Sequence, residues 1–268
     1  MNAISLSPGD LAIAAALVAF DAVLSVLLRL RLHRQVLWAA GRMVVQLVAV
    51  GYLLRVIFAI RDPAATLAII VVMAAIAARE IAARPQQRFK GASGLVLSAS
   101  GVAIATMVTV GLALLTAIRP HPWYDPRYAV ALVGIILGAV LNSGSLSLDT
   151  LLGGVARQRG AIEAQLGLGA SFHQATAPLL RESIRRGLLP IVNQMSAAGV
   201  ITLPGIMTGQ ILAGLDPVEA VKYQILLMFL LAGASGLTTL VVAYGALRRL
   251  TDERQRLRLD RLLPNARE

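Results

Sequence analysis

Long apolar runs, separated by short clusters of arginine, proline and glycine, leave this chain few folds to choose from. The run Gly94–Ile118 carries no charged side chain at all. A helix crosses the hydrocarbon core of a bilayer with roughly 20 apolar residues. Lipid offers the backbone no hydrogen-bond partner, so a crossing segment is either a helix or a strand of a closed barrel. Barrel strands alternate apolar and polar residues at period two. These runs are continuously apolar, so helices follow. Composition agrees: 57% of the 268 residues are hydrophobic and 15% are charged, whereas about a quarter of a soluble domain is charged. The mean hydropathy is +0.73.

The expected fold is all-α, a polytopic helical membrane protein forming one transmembrane domain over residues 1–268. Seven spans are predicted: Pro8–Leu28, Val36–Ile60, Pro63–Ala78, Gly94–Ile118, Tyr128–Leu148, Leu188–Ala213 and Ala220–Leu247. Orientation follows from the Lys and Arg residues of the connections. One alternating set holds nineteen, among them Arg29, Arg84, Lys90, Arg157, Arg186 and the seven arginines of the C-terminal tail. The opposite set holds four: Arg61, Arg119, Arg127 and Lys222. The positive-inside rule then puts the N-terminus outside and the C-terminus in the cytoplasm. The net charge of +11 reads as topogenic charge on the bilayer and not as a nucleic-acid footprint.

No cysteine is present, which removes disulfides, iron–sulfur clusters and thiolate metal sites together. Asp10 and the lack of basic residues before the first apolar run argue against a cleaved signal peptide. No His pair, His-plus-carboxylate spacing or Ser-His-Asp arrangement suggests a catalytic centre, so no enzyme is expected.

The connection from Asp149 to Gly187 is long and polar, and it belongs to the basic side. Within it, Glu163-Ala164-Gln165-Leu166-Gly167-Leu168-Gly169-Ala170-Ser171 places two glycines at the end of a short helix, and Ser171 with Gln174 forms a capping box for the next. A cytoplasmic helix–turn–helix is predicted. Glu163, Ala164, Gly169, Ala170 and Ser171 resemble the coupling loop of ATP-binding-cassette (ABC) permeases, which docks on a separate ATPase subunit. An amphipathic connector resting on the membrane is the alternative. A phosphate-binding P-loop needs Gly-x-x-x-x-Gly-Lys-Ser/Thr. The two lysines, Lys90 and Lys222, follow Phe89 and Val221, so this chain has none. Any ATP that drives it is hydrolysed elsewhere.

The block Leu203-Pro204-Gly205-Ile206-Met207-Thr208-Gly209-Gln210-Ile211-Leu212-Ala213-Gly214, with Asp216-Pro217 and Glu219 to Ile225, is similar to the signature of the Fet-type ABC permeases. Gly41-Arg42, Gln46-Leu47, Gly51-Tyr52 and Asn142 are similar as well. That family includes a bacterial iron-export permease and plant permeases linked to aluminium tolerance. Ala139 departs from it, standing where the family commonly has asparagine. The resemblance implies a multi-pass permease of a bacterial inner (plasma) membrane, exporting iron or a related metal species. It implies a cytoplasmic ATPase partner that carries ATP and Mg, a permease homodimer, and no cofactor on this chain. An importer-type ABC permease of other cargo, or an ATP-independent secondary transporter or channel, stands as the alternative.

Intramembrane polar residues are the candidates for a transport pathway. Arg42 and Gln46 share a helix face four residues apart, although Arg42 is also close enough to the cytoplasmic headgroups to snorkel. Asn193, Gln194 and Met195 precede Pro204, which is expected to kink the sixth span and free a carbonyl for the pathway. Thioethers of Met195, Met207 and Met228 are candidate metal ligands, with oxygens from Asn142, Gln210, Tyr223 and Gln224. Methionines also fill gaps in apolar cores. His121 and Asp125 of the external turn suit either a metal exit or an ordinary Pro-rich loop.

Overall fold

A computed structural model describes residues 7–60, 62–119, 122 and 124–263. Its helices are α1 (Pro8–Leu27), α2 (His33–Ile60), α3 (Pro63–Ala83), α4 (Ser93–Leu112), α5 (Pro126–Arg157), α6 (Arg159–Gly167), α7 (Phe172–Ala197), α8 (Gly205–Leu212) and α9 (Pro217–Arg249). A π-helical turn, Ala113–Ile118, extends α4. Among the described residues there is no strand, only isolated bridges.

The chain divides into two compact units, Met1–Asp62 with Leu212–Gly214, and Pro63–Ile211 with Leu215–Glu268. The first is the α1–α2 hairpin. Ser7 starts α1 with a capping box closed by Asp10, and Pro8 follows in the first turn, where its missing N–H costs nothing. In the second unit α5 and α9 are central: α5 packs on α3, α4 and α7, and α9 packs on α4, α5 and α7.

Among the described residues six helices are long and apolar enough to cross a membrane: Gly9–Leu27, His33–Phe58, Pro63–Ala83, Ser93–Thr116, Pro126–Arg157 and Pro217–Arg249. The third span is thus longer than the sequence reading gave it. The sixth predicted span is corrected, because Leu188–Ala213 is not one helix. Helix α7 stops at Ala197, a non-helical segment covers residues 198–204, and α8 adds only two turns. The expected kink at Pro204 is corrected with it: the helix has already ended seven residues earlier. Ala198 is extended, Gly199 has φ +83°, and a bridge pairs Ala198 with Thr202. Pro204 also biases Leu203 away from the helical region, so helix resumes only after it.

Phe172 at the start of α7 lines the same cleft as Tyr244 and Leu247 near the end of α9. These two points therefore share one end of the unit, and residues 172–216 carry the chain back to the start of α9 at the other end.

The packing of this unit rests on small residues. A Cβ on Gly187 of α7 would lie 3.0 Å from the Ser143 carbonyl oxygen of α5 and 2.9 Å from the Thr239 side chain of α9. A Cβ on Gly101 of α4 would meet Val242 at 2.8 Å. Such contacts let helix backbones approach closely where no hydrophobic effect drives association. Buried hydroxyls line the same contacts: Ser98 and Thr109 on α4, Ser147 on α5, Ser183 on α7, Thr238 and Thr239 on α9. Ser147 and Ser183 hydrogen-bond across α5 and α7 at 3.0 Å. Hydrophobic side chains such as Leu67, Val71 and Met107 stay exposed, as lipid-facing residues must.

Candidate functional site: the two interruptions around α7

Helix α6 ends in a complete Schellman motif. The Gly169 N–H donates to the Leu166 carbonyl and the Ala170 N–H to the Gln165 carbonyl, both at 3.0 Å. Gly169 adopts φ +93°, which a residue with a Cβ rarely reaches. Ser171 then caps α7: its Oγ accepts the Gln174 N–H, and Gln174 Oε1 accepts the Ser171 N–H at 2.8 Å. The predicted helix–turn–helix and its capping box are both present. Ile162 is buried and Leu166 half-buried, so α6 rests on α7 by one face. Glu163, Ala164, Gly167 and Gly169 lie on the open side, where Glu163 accepts from Arg159 Nε at 2.9 Å. Leu168, at the apex of the turn, is 88% exposed.

At the far end of α7 the Ala197 carbonyl accepts the N–H groups of Ile201 at 3.0 Å and Thr202 at 3.1 Å. Gly199 donates to the Thr202 carbonyl at 2.9 Å. Pro204 brings no donor, and the first-turn N–H groups of α8 have no acceptor within their own helix. The apolar side chains of Val200, Ile201 and Leu203 all stand exposed.

The predicted pathway residues fall into separate surroundings. Asn142 lines a cleft of about 460 Å³ with Arg84, Ser145, Leu146, Asp149 and Pro190. Asn193, Gln194 and Met195 lie on the last turns of α7, exposed. Met207 and Gln210 lie on α8, half-buried. Tyr223 is exposed, whereas its neighbour Gln224 is buried. The Oε1 atoms of Gln210 and Gln224 are shielded and have no hydrogen-bond partner. Met228, one turn beyond Gln224 on the same face of α9, belongs to the hydrophobic core. Arg42 and Gln46 are exposed one turn apart on α2. Asp125 caps α5 by accepting the Arg127 N–H, and His121 lies outside the described residues. No cluster of three His, Asp or Glu side chains suited to a metal occurs among the described residues.

Two features escaped the sequence reading. The buried hydroxyls are one; their signal was the recurrence of Gly, Ala, Ser and Thr at helical spacing along α4 and α9. The other is the segment 250–263 after α9, which is folded. Its Gln255 Oε1 accepts the Phe172 N–H at 2.8 Å.

The sequence profile described as "Uncharacterised protein family (UPF0014)" matches residues 8–251. The chain belongs to the UPF0014 family. It is 40% identical over 228 residues to the UPF0014 membrane protein slr1647 of Synechocystis, covering 85% of this chain and 87% of that protein. It is 32% identical over 258 residues to the probable iron export permease protein FetB of Escherichia coli, covering 96% and 97%. It is 34% identical over 231 residues to the UPF0014 membrane protein STAR2 of rice, covering 86% and 79%. No solved structure matches. This UPF0014 chain is therefore a multi-pass helical membrane protein, and the resemblance read from residues 203–225 holds.

Proposed function

We propose that the chain is the permease subunit of an ABC exporter for iron or a related metal species, driven by an ATPase on a separate chain. The observation that carries this reading is the turn at Gly167–Ser171. It is closed by its own backbone bonds, yet it presents Leu168 almost fully to solvent beside Glu163. An apolar side chain on a rigid polar-rimmed turn is what a partner's groove takes up as an anchor. FetB is named as a probable iron export permease protein, which supports the cargo and the direction.

In this reading the end bearing Leu168 is cytoplasmic and the N-terminus is outside, in the inner membrane of a bacterium. Helix α7 and α8 together make a seventh crossing, with the break inside the bilayer. Non-helical backbone is tolerated at that depth only against protein or a wet cavity. Helix α7, 26 residues long, is about 39 Å from end to end. It joins the docking turn directly to the break, so displacement at one end moves the other. A partly dehydrated cation passing there meets Met195 and Met207, the amide oxygens of Gln210, and the peptide groups of the break. Asn142, Asn193, Gln194 and Pro204 line the approach. Arg42 and Gln46 form a polar stripe on α2, and Tyr223 and Gln224 stand at the outer end. Met228 reaches the cation only by leaving the core. The working assembly is two permeases and two ATPases, with ATP and magnesium held by the ATPases.

The test is ATP hydrolysis by the reconstituted complex across a panel of metal ions. Stimulation by iron or a close relative is expected, and a flat response to every metal removes the cargo. Glu163→Arg is expected to abolish stimulation without loss of membrane insertion; unchanged transport removes the proposed contact.

A further inference from the structure

Residues 250–263, after α9, form a clasp. Leu250 is fully buried, and the chain then turns so that the Arg258 N–H returns to its carbonyl at 2.8 Å. The Asp252 carboxylate gathers the Arg254 and Arg256 N–H groups and the Arg256 and Arg258 guanidinium groups. Beyond this knot the chain runs along the α3–α4 connection. The Lys90 N–H donates to the Arg261 carbonyl at 2.8 Å, the Leu263 N–H to the Arg88 carbonyl at 2.7 Å, and Phe89 and Leu262 are both buried. Arg249 donates to the Ser93 carbonyl, and Arg261 to the Arg249 carbonyl. One side of the clasp is therefore fastened to the α3–α4 connection and to the first residue of α4.

The other side is fastened to α7 by Gln255. The capping box satisfies the Ser171 and Gln174 N–H groups but leaves that of Phe172, the first residue of α7. Gln255 Oε1 takes it from 83 positions along the chain. Gln255 itself has φ +56°, a left-handed conformation that is sterically costly for a residue with a Cβ. Such a conformation persists only where the surroundings over-determine it. Beside this joint lies a cleft of about 430 Å³, bordered by His173, Tyr244 and Arg248, which leaves the joint room to move.

We propose that Gln255 is a positioning residue for transport: it ties the first turn of α7 to the α3–α4 connection. A push on the 167–171 turn then reaches α3 and α4 together with the broken helix. This rests on the permease reading given above. Without the tie, the partner ATPase docks and hydrolyses ATP, but less of each stroke reaches the pathway.

The experiment uses the full-length permease reconstituted with its ATPase, with Gln255→Met (similar length, no acceptor) and Gln255→Glu (acceptor kept). Amide exchange at Phe172 is read in the permease alone; ATP consumed per metal ion moved is read in the complex. Gln255→Met is expected to speed Phe172 exchange about fivefold, the worth of one hydrogen bond. It is also expected to raise ATP consumed per ion at unchanged ATPase affinity, and Gln255→Glu to restore both. Unchanged exchange in Gln255→Met overturns the tie. Faster exchange with an unchanged ATP-to-ion ratio overturns the positioning role. A wild-type permease that binds no ATPase overturns the functional reading and this inference with it, and normal exchange at Phe172 tells that failure apart from a missing clasp.

Discussion

Before α7 and after it the helix is broken by similar means, a glycine at positive φ in each case: Gly169 at +93° and Gly199 at +83°. The two breaks are finished differently. The first is closed on both sides, by the Schellman bonds of Gly169 and Ala170 and by the Ser171–Gln174 capping box. The second has the bonds around Ala197 and Thr202 and the Thr208 amide and hydroxyl on the Pro204 carbonyl, and Pro204 itself brings no donor. The first is thus a stiff elbow that can transmit force. The second keeps backbone groups available, which suits a segment that must rearrange around a passing solute. A single helix joins an elbow to a soft joint, and the contrast makes separable predictions.

The largest effect is expected at the elbow apex. Leu168→Asp should weaken ATPase recovery with the permease at least about tenfold, as for a buried anchor residue, in a pull-down from membranes. Equal recovery would leave the apex without a role in docking. Next comes the soft joint. Gly199→Val places a β-branched residue at positive φ, at a cost of about 1–2 kcal/mol. It should slow transport while leaving ATPase affinity intact; a matching loss of affinity would mean that the joints are not separable. Ser171→Ala removes a cap worth about 1 kcal/mol, so amides 172–175 should exchange about fivefold faster. Amides of α8 should not change.

The smallest effect concerns pH. Backbone and side-chain bonds from Arg256 hold the Asp252 carboxyl at about 2, and the Arg258 guanidinium does the same for Asp260. Both values are depressed from 3.8. The stabilisation is therefore present above the unfolded value and is lost as pH falls through the folded one. Tail amides 254–258 should exchange with constant protection between about pH 5 and 8 and lose it only between about pH 4 and 2. Loosening near pH 6 would assign the clasp to other groups.

The sequence disclosed what local rules govern. Gly167 and Gly169 end one short helix, Ser171 and Gln174 stand at capping-box spacing for the next, and the elbow followed from these. The soft joint was misread as a kink in a continuous span. Val200, Ile201 and Leu203 count as apolar and carried the hydropathy across a segment that is not helical. The warning lay in Gly199 and in the restriction that Pro204 puts on Leu203. Hydroxyls such as Ser147 and Thr239 hardly alter hydropathy, so their burial was invisible until α5, α7 and α9 were seen together. Gln255 was hidden for a different reason. Its partner is 83 residues away, and the arginines around it read as topogenic charge.

The clasp also imposes an order on biogenesis. The α3–α4 connection leaves the ribosome before α5, α7 and α9, yet its backbone partners Arg261 and Leu263 are made after all of them. Until translation has passed residue 263, Phe89 lacks its cover and the Lys90 amide lacks its acceptor. A nascent chain stalled in α9 therefore displays an open loop with Phe89 uncovered, which the finished protein does not. The same few bonds that tie α7 to its neighbours distinguish a completed chain from an interrupted one.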